Sequence, residues 1–168
     1  LFMRGYVLTS SNDFRTAMSK FATGVTVVTS VDEQGNPHSM TANSFTSVCL
    51  DPPTLLVCVA HGTNTYGFVE RTGKFGVNIL KENQEDLGIY FAKRPEDRTG
   101  EIEYELIMAN GDVPFLSGSM VSFSCKVVGS HVYGDHTVYM GEVIEVCQQD
   151  EGEPLMFFKS RWYHPRKS

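Results

Sequence analysis

The chain has 168 residues, with 14 Lys and Arg against 20 Asp and Glu, and a formal charge of −6. That length suits one domain over 1–168, with 1–11 and 166–168 as peripheral tails, and a fold of this size buries roughly 68–70% of the unfolded chain's surface. The composition, 41% hydrophobic and 20% charged, is that of an ordinary globular protein and not of a disordered one. The acidic balance disfavours nucleic acid as the main partner. No apolar run approaches the roughly 20 residues needed to cross a bilayer, and Leu1 to Gly5 lacks the pattern of a signal peptide. A cytoplasmic location is expected.

In chain order, Phe14, Ala17, Met18 and Phe21 fall at i, i+3, i+4 and i+7 after the cap-forming run Ser10-Ser11-Asn12-Asp13, which predicts a helix stopped by Gly24. The β-branched Val25 to Thr29 reads as a strand, Asp32 to Pro37 as a turn and His38 to Thr41 as the returning strand. After Asp51-Pro52-Pro53, the apolar run Thr54 to Val59 predicts a strand buried on both sides. A short helix is expected over Asn64 to Glu70, a strand over Lys74 to Leu80, and a third helix from near Asn83 with Leu87, Tyr90 and Phe91 inward. Glu101, Glu103 and Glu105 alternate with Ile102 and Tyr104, which predicts a strand with one solvated face. The last third reads as β: Val121, Phe123, Cys125 and Val127 alternate with Ser122, Ser124 and Lys126, a turn follows at Tyr133 to His136, then strands over Thr137 to Val146 and Leu155 to Phe158. Many strands with tight turns and few short helices indicate a closed or nearly closed antiparallel barrel.

Cys49, Cys58, Cys125 and Cys147 are widely spaced in apolar stretches, which predicts small packed hydrophobes without metal or disulfide. There is no phosphate-loop, GxGxxG, HExxH or GxSxG signature. His131, Asp135 and His136 flank one turn, and a polar hairpin tip is favoured there over a metal site. The segment Thr41 to Pro53 is unusual, because small hydroxyl and amide side chains crowd a stretch between two strands. Two readings remain open for it: a loop of turn-forming residues, or a surface where a planar polar ligand approaches the backbone.

The run Thr41-Ala42-Asn43-Ser44-Phe45-Thr46-Ser47-Val48, followed by Asp51-Pro52-Pro53 and later Gly134-Asp135-His136, resembles the short-chain NAD(P)H:flavin oxidoreductases, the reductase components of two-component flavin-dependent monooxygenases. Phe14-Arg15 through Phe21 to Val25, Phe75 to Leu80, Asn83-Gln84 and Phe91-Ala92 extend the likeness over about residues 12–165. The resemblance implies a mainly β, FMN-binding split barrel of Greek-key character, a homodimer, FMN or FAD as flavin, NADH (or NADPH) as donor and a separate monooxygenase as partner. Carried over by motif, Thr41, Ala42, Asn43, Ser44, Ser47, Val48 and Cys49 would line the isoalloxazine. Cys58, Val59 and Ala60 would run along the ring or ribityl chain. Asn64 and Thr65 would meet ribityl and phosphate at a helix start, with Asn83, Phe91 and Ala92 in the same shell.

The resemblance further implies hydride transfer to flavin, with backbone N–H groups of Ser47-Val48-Cys49 meeting the charge that gathers near N1 and the C2 carbonyl. His136 would position the nicotinamide, with Gly134 and Asp135 shaping the nucleotide-binding hairpin tip. The alternatives are a split-barrel flavoprotein that keeps FMN bound and reduces ferric iron or another acceptor, and a non-catalytic flavin- or haem-binding module. Arg161-Trp162-Tyr163-His164-Pro165 is read either as a cover over the flavin site or as a packed tail.

Overall fold

The computed structural model describes residues 10–149 and 151–164. Helix α1 (Ser11–Met18) starts at a capping box, in which the Ser10 hydroxyl accepts from the Asp13 N–H and the Asp13 carboxylate accepts from the Ser10 N–H. It ends at Ser19, short of Gly24, which lies instead in strand β1 (Thr23–Gly24), paired with Phe157 and Met156. The predicted apolar stripe turns outward: Phe14, Met18 and Phe21 are all exposed.

The other strands are β2 (Thr26–Val31), β3 (Pro37–Ala42), β4 (Phe45–Leu50), β5 (Pro53–Ala60), β6 (Lys74–Ile79), β7 (Leu106–Met108), β8 (Pro114–Leu116), β9 (Val121–Tyr133), β10 (His136–Gln148), β11 (Met156–Phe158) and β12 (Arg161–Tyr163). Helices α2 (Asn64–Thr72) and α3 (Glu85–Ala92) flank them. Seven strands form one antiparallel sheet in the order β3-β2-β6-β9-β10-β5-β4. Strands β3 and β4 therefore sit at opposite edges, yet only Asn43 and Ser44 separate Ala42 from Phe45. Laid flat, six inter-strand steps would hold those edges about 29 Å apart, whereas three extended residues reach only about 11 Å. The sheet must roll up. Because β3 and β4 do not pair with each other, the result is the expected mainly β split barrel, open along one seam.

The barrel interior is filled by Val28, Leu55, Val57, Val59, Phe75, Val77, Cys125 and Tyr139, with Val69 of α2 packed into it. Gly141 is required there, since a Cβ would meet the Phe75 ring at 2.5 Å. A second core, Val25, Val27, Leu80, Phe91, Leu116 and Leu155, lies outside the sheet, with Leu87, Phe157 and Trp162 against it. Helix α2 is capped by the Thr63 hydroxyl, which accepts from the Tyr66 N–H, and stops at Gly73 in the left-handed region.

Several expectations need correction. The segment read as lying between two strands is largely a strand itself, β4, and sequence pattern missed it because only Phe45, Val48 and Leu50 are large and apolar among its six residues. The alternating Glu101 to Glu105 stretch forms no strand; pairing begins only at Leu106, where β8 supplies a partner. Ser122 and Ser124 are buried rather than solvated, and Ser122 donates to the Asn78 side chain at 2.8 Å. Strand β12 was unpredicted. Of the cysteines, Cys125 is buried and Cys58 half-buried, but Cys49 and Cys147 are exposed, so they do not pack as core hydrophobes.

Candidate functional site

The site lies against the seam. Strand β3 supplies His38 to Thr41, the exit of β5 supplies Ala60 and Gly62, the start of α2 supplies Thr63 to Thr65, and Phe91 to Pro95 with Glu96 and Arg98 complete a cavity of about 570 Å³. A second hollow of about 190 Å³ adjoins it, lined by Val25, Thr41, Ala42, Asn43, Ala92, Phe157 and Trp162. Thr41 and Ala92 border both. The Thr41 hydroxyl donates to the Gly88 carbonyl at 2.7 Å, which fixes α3 against β3. Beyond it, Asn43 Nδ2 donates to Thr23 Oγ1 at 3.3 Å.

Across the seam, Ser44 belongs to the other edge. Its hydroxyl donates to the Cys58 carbonyl at 2.8 Å and its carbonyl accepts from the Cys58 N–H at 3.0 Å. Burial pushes the Cys58 thiol pKa up. Further along β4 the register with β5 shifts between Ser47 and Cys49, which leaves Val48 without a paired residue. Such a bulge on an edge strand frees backbone groups to face another molecule. Ser47, Val48 and Cys49 are exposed and border neither hollow.

Two distant motifs meet beside Ala60 and Gly62, which line the cavity, although His61, Gly134, Asp135 and His136 do not themselves line it. The His61 N–H donates to the Asp135 carbonyl at 2.9 Å, and His136 is the cross-strand partner of Ala60. The Gly134 turn (φ 60°) thereby holds the His136 tip beside the loop leading into α2. His136 Nδ1 lies 2.7 Å from Asp135 Oδ1, and that bond holds the Asp135 carboxyl below the usual carboxylate range. His61 itself is fixed by Thr137, Nε2 to Oγ1 at 3.0 Å, and by the Tyr66 ring at 4.6 Å. In the barrel behind it, the Tyr139 hydroxyl donates to the Glu70 carboxylate, and burial together with that carboxylate raises the phenol's pKa.

Of the residues singled out from sequence, Thr41, Ala60, Asn64, Thr65, Phe91 and Ala92 line the larger cavity, and Thr41, Ala42, Asn43 and Ala92 the smaller. Val59 points into the barrel core, fully buried, so only its backbone is available to a ligand. Asn83 is exposed in the short 3-10 turn before α3 and borders neither cavity. Sequence reasoning missed His38, Ser39, Thr63 and the basic trio Lys93, Arg94 and Arg98. The signal for the trio was present, three cations within six residues of an otherwise acidic stretch. Trp162 and Phe157 cover the smaller hollow, whereas Pro165 lies outside the described residues.

Residues 18–165 match the family described as the flavin reductase like domain. The chain belongs to that family. Flavin reductase (NADPH) of Lentzea aerocolonigenes is 43% identical over 146 residues, 86% of this chain and 84% of that protein. NADH-dependent flavin reductase of a Rhodococcus species is 38% identical over 86% of this chain and 80% of its own length. Among solved structures, the styrene monooxygenase flavin reductase of Pseudomonas putida S12 superposes with a TM-score of 0.81 at 36% identity, over 93% of this chain and 99% of the other.

The cavity of this flavin reductase-family chain fits a flavin nucleotide by its own chemistry. The start of α2 brings N–H groups to one wall and Lys93 and Arg94 stand among the lining residues, a combination suited to phosphate. Among the described residues, neither cation forms an ion pair. On the β3 wall, His38 Nε2 lies 3.5 Å from Asp32 Oδ2, whereas the Ser39 hydroxyl is buried with no hydrogen-bond partner. No cluster of three or more metal-ligating side chains occurs among the described residues. No described helix is long and apolar enough to cross a membrane.

Proposed function

We propose that this chain transfers a hydride from NADH, with NADPH as the alternative donor, to FMN or FAD, and passes the reduced flavin to a separate flavin-dependent monooxygenase. The observation that carries the reading is the convergence of the Thr41–Asn43 segment, the α2 start and the His136 tip around one seam in a chain of the flavin reductase family. Flavin, when bound, would supply the redox chemistry by taking up a hydride, which itself carries both electrons.

The protein's own residues orient and shield. Asn64, Thr65, Lys93 and Arg94 hold the phosphate end. Thr41, Ala42 and Asn43, backed by Phe91 and Ala92, lie along the ring and ribityl chain, where small side chains let a planar ligand approach the backbone. Ser44, Ser47, Val48 and Cys49 offer the exposed β4 edge, and the backbone N–H groups around its register shift are the donors assigned in this reading to negative charge on the reduced ring. His136, oriented by Asp135, holds the nicotinamide over the flavin. No general base is required, because the hydride leaves and arrives without a proton.

The active unit in this reading is a homodimer. Val48 and Leu50 on β4, Val128, Val132 and Tyr133 on β9, and Ile144 and Val146 on β10 are large apolar side chains left exposed, Leu50 by 92%. A second copy seated on that surface would cover the open side of the seam. Support for a partner oxygenase comes from relatives such as the styrene monooxygenase flavin reductase, whose name pairs it with a monooxygenase.

The test is NADH oxidation by the purified protein with no flavin, and with FMN, FAD or riboflavin added. Turnover only on adding flavin supports a diffusible reduced product. Activity undiminished by removing free flavin favours a tightly held cofactor, and absence of turnover under every condition defeats the reading. Within the same assay, His136→Ala should raise the NADH KM about tenfold, the loss of one hydrogen bond, while flavin affinity holds. An unchanged NADH KM removes His136 from the nicotinamide site.

A further inference from the structure

The cavity wall formed by residues 93–98 has little to hold it. Apart from a 3-10 turn at Pro95–Asp97 it carries no regular structure, and its backbone bonds, Lys93 N–H to Tyr90, Asp97 N–H to Arg94 and Arg98 N–H to Pro95, all stay local. One side chain crosses to the barrel. Arg98 Nη2 donates to the Ser39 carbonyl on β3 at 2.7 Å, and its Nε donates back to the Lys93 carbonyl at 3.3 Å. Among the described residues, that Ser39 bond is the one hydrogen bond linking 93–104 to the seven-stranded sheet.

The guanidinium also lies over two rings of α3, 5.4 Å from the centre of Tyr90 and 5.2 Å from that of Phe91. Phe91 lines the cavity itself. A planar guanidinium can do all of this at once: stack on aromatic faces and bond in its plane to two carbonyls in different directions. An ammonium at this position can reach one carbonyl but cannot bridge both and stack. The bond to Ser39 is part-buried and that to Lys93 exposed, so the crossing to β3 is the better shielded of the two from competing water.

We infer that Arg98 is a positioning residue for the phosphate of the bound flavin: it pins the 93–98 loop to β3 and so presents Lys93 and Arg94 to the α2 N-terminus across the cavity. This rests on the flavin reading above and adds to it a division of labour. Lys93 and Arg94 meet the ligand, whereas Arg98, also on the cavity wall, commits Nε and one Nη2 N–H to carbonyls of the protein. The loop's cations matter only to a phosphorylated flavin. Loss of the pin should therefore weaken FMN and FAD but spare riboflavin, which shares the ring and ribityl chain and lacks the phosphate.

The experiment measures flavin affinity by fluorescence quenching, independently of turnover, for the wild-type protein and for Arg98→Gln and Arg98→Lys. Thermal unfolding confirms that each variant is folded. For Arg98→Gln, the FMN Kd is expected to rise about tenfold with the riboflavin Kd changed less than about twofold. Arg98→Lys should fall between wild type and Arg98→Gln for FMN, because one of two carbonyl bonds survives. Equal losses for FMN and riboflavin mean a general collapse of the cavity and overturn the assignment, as does an FMN Kd that does not move in either variant. Should Arg98→Gln fail to fold, the Arg98→Lys ratio of FMN to riboflavin loss decides alone. A wild-type protein that binds none of these flavins defeats the function reading itself, an outcome distinct from either result for Arg98.

Discussion

The two edge strands of the barrel are dressed differently. Strand β3 is clad by other parts of its own chain: α2 and α3 pack near it, Thr41 bonds to Gly88, Ser39 receives Arg98, and His38 stacks on Phe68 at 4.1 Å. Strand β4 is nearly bare, with Thr46 to Leu50 all exposed. Yet the residues resembling the flavin-binding motif run continuously from one edge to the other. A binding surface split this way has one half built by its own chain and another half that needs something to cover it. In the reading above, flavin and a second copy of the chain share that task.

The largest effect is expected on the clad side. Trp162 packs against the outer core and covers the smaller hollow, in contact with Gly88 of α3. Trp162→Ala should lower stability by roughly 3 kcal/mol, at the low end for a large aromatic because the side chain is only half-buried. Chemical denaturation reads this, and a loss below about 1 kcal/mol would mean that the C-terminal hairpin is ornamental. At the seam, Asn43→Phe fills the hollow beside Thr41. FMN affinity should fall by about tenfold or more, and an unchanged titration would remove Asn43 from the site. On the bare side the expectation reverses. Leu50→Asp should change stability of the isolated chain by no more than about 0.5 kcal/mol while shifting the protein toward monomer in sedimentation. A dimer unaffected by a buried charge would place its interface elsewhere.

The smallest effect is electrostatic and lies in the turn between β2 and β3. The Asp32 carboxylate accepts from Asn36 Nδ2 and from the backbone N–H groups of Asn36 and Gln34 at 2.8–2.9 Å, and these bonds, that from the Asn36 side chain foremost, lower its pKa from 3.8 to about 2. A pKa depressed in the folded state gives stability that is present above about pH 4 and lost as pH falls toward 2. Asp32→Asn should flatten that part of the acid-unfolding curve. Because the group is exposed, the change should be small, and an identical acid limb would mean that the turn forms without help from its carboxylate.

Much of this could be read from the chain alone. The β9–β10 hairpin, the helix from Asn64 and the β2–β3 hairpin follow from local pattern, because each is specified by neighbours a few residues away. Strand β4 was hidden for the opposite reason: its identity as a strand comes from β5, and its small polar residues carry the marks of a loop. Ser122 and Ser124 looked solvated because alternation is read as in and out, whereas Asn78 turns one of these positions into a polar interior. The Glu101–Glu105 alternation had the right period and no partner strand. For the candidate site, Thr41 to Asn43 stood out as a contiguous motif, whereas the cations of 93–98 were visible with nothing to connect them to it, since only folding brings Lys93 and Arg94 opposite a helix more than twenty residues earlier.

The two-residue link between β3 and β4 also bears on how the barrel assembles. Loop-closure entropy grows with the length of chain between two points, and the sheet's opposite edges are held together by the shortest connection available. Four consecutive strands, β2 to β5, form two hairpins tied back to back at Asn43 and Ser44. Strands β6, β9 and β10 then bridge the wide gap on the far side, at much greater sequence separation. Pulse-labelled hydrogen exchange should accordingly find β2–β3 and β4–β5 amides protected before those linking β6 to β9, and the reverse order would rule this route out. The seam would then be the first part of the barrel to take shape and, being unpaired, the last part to be sealed.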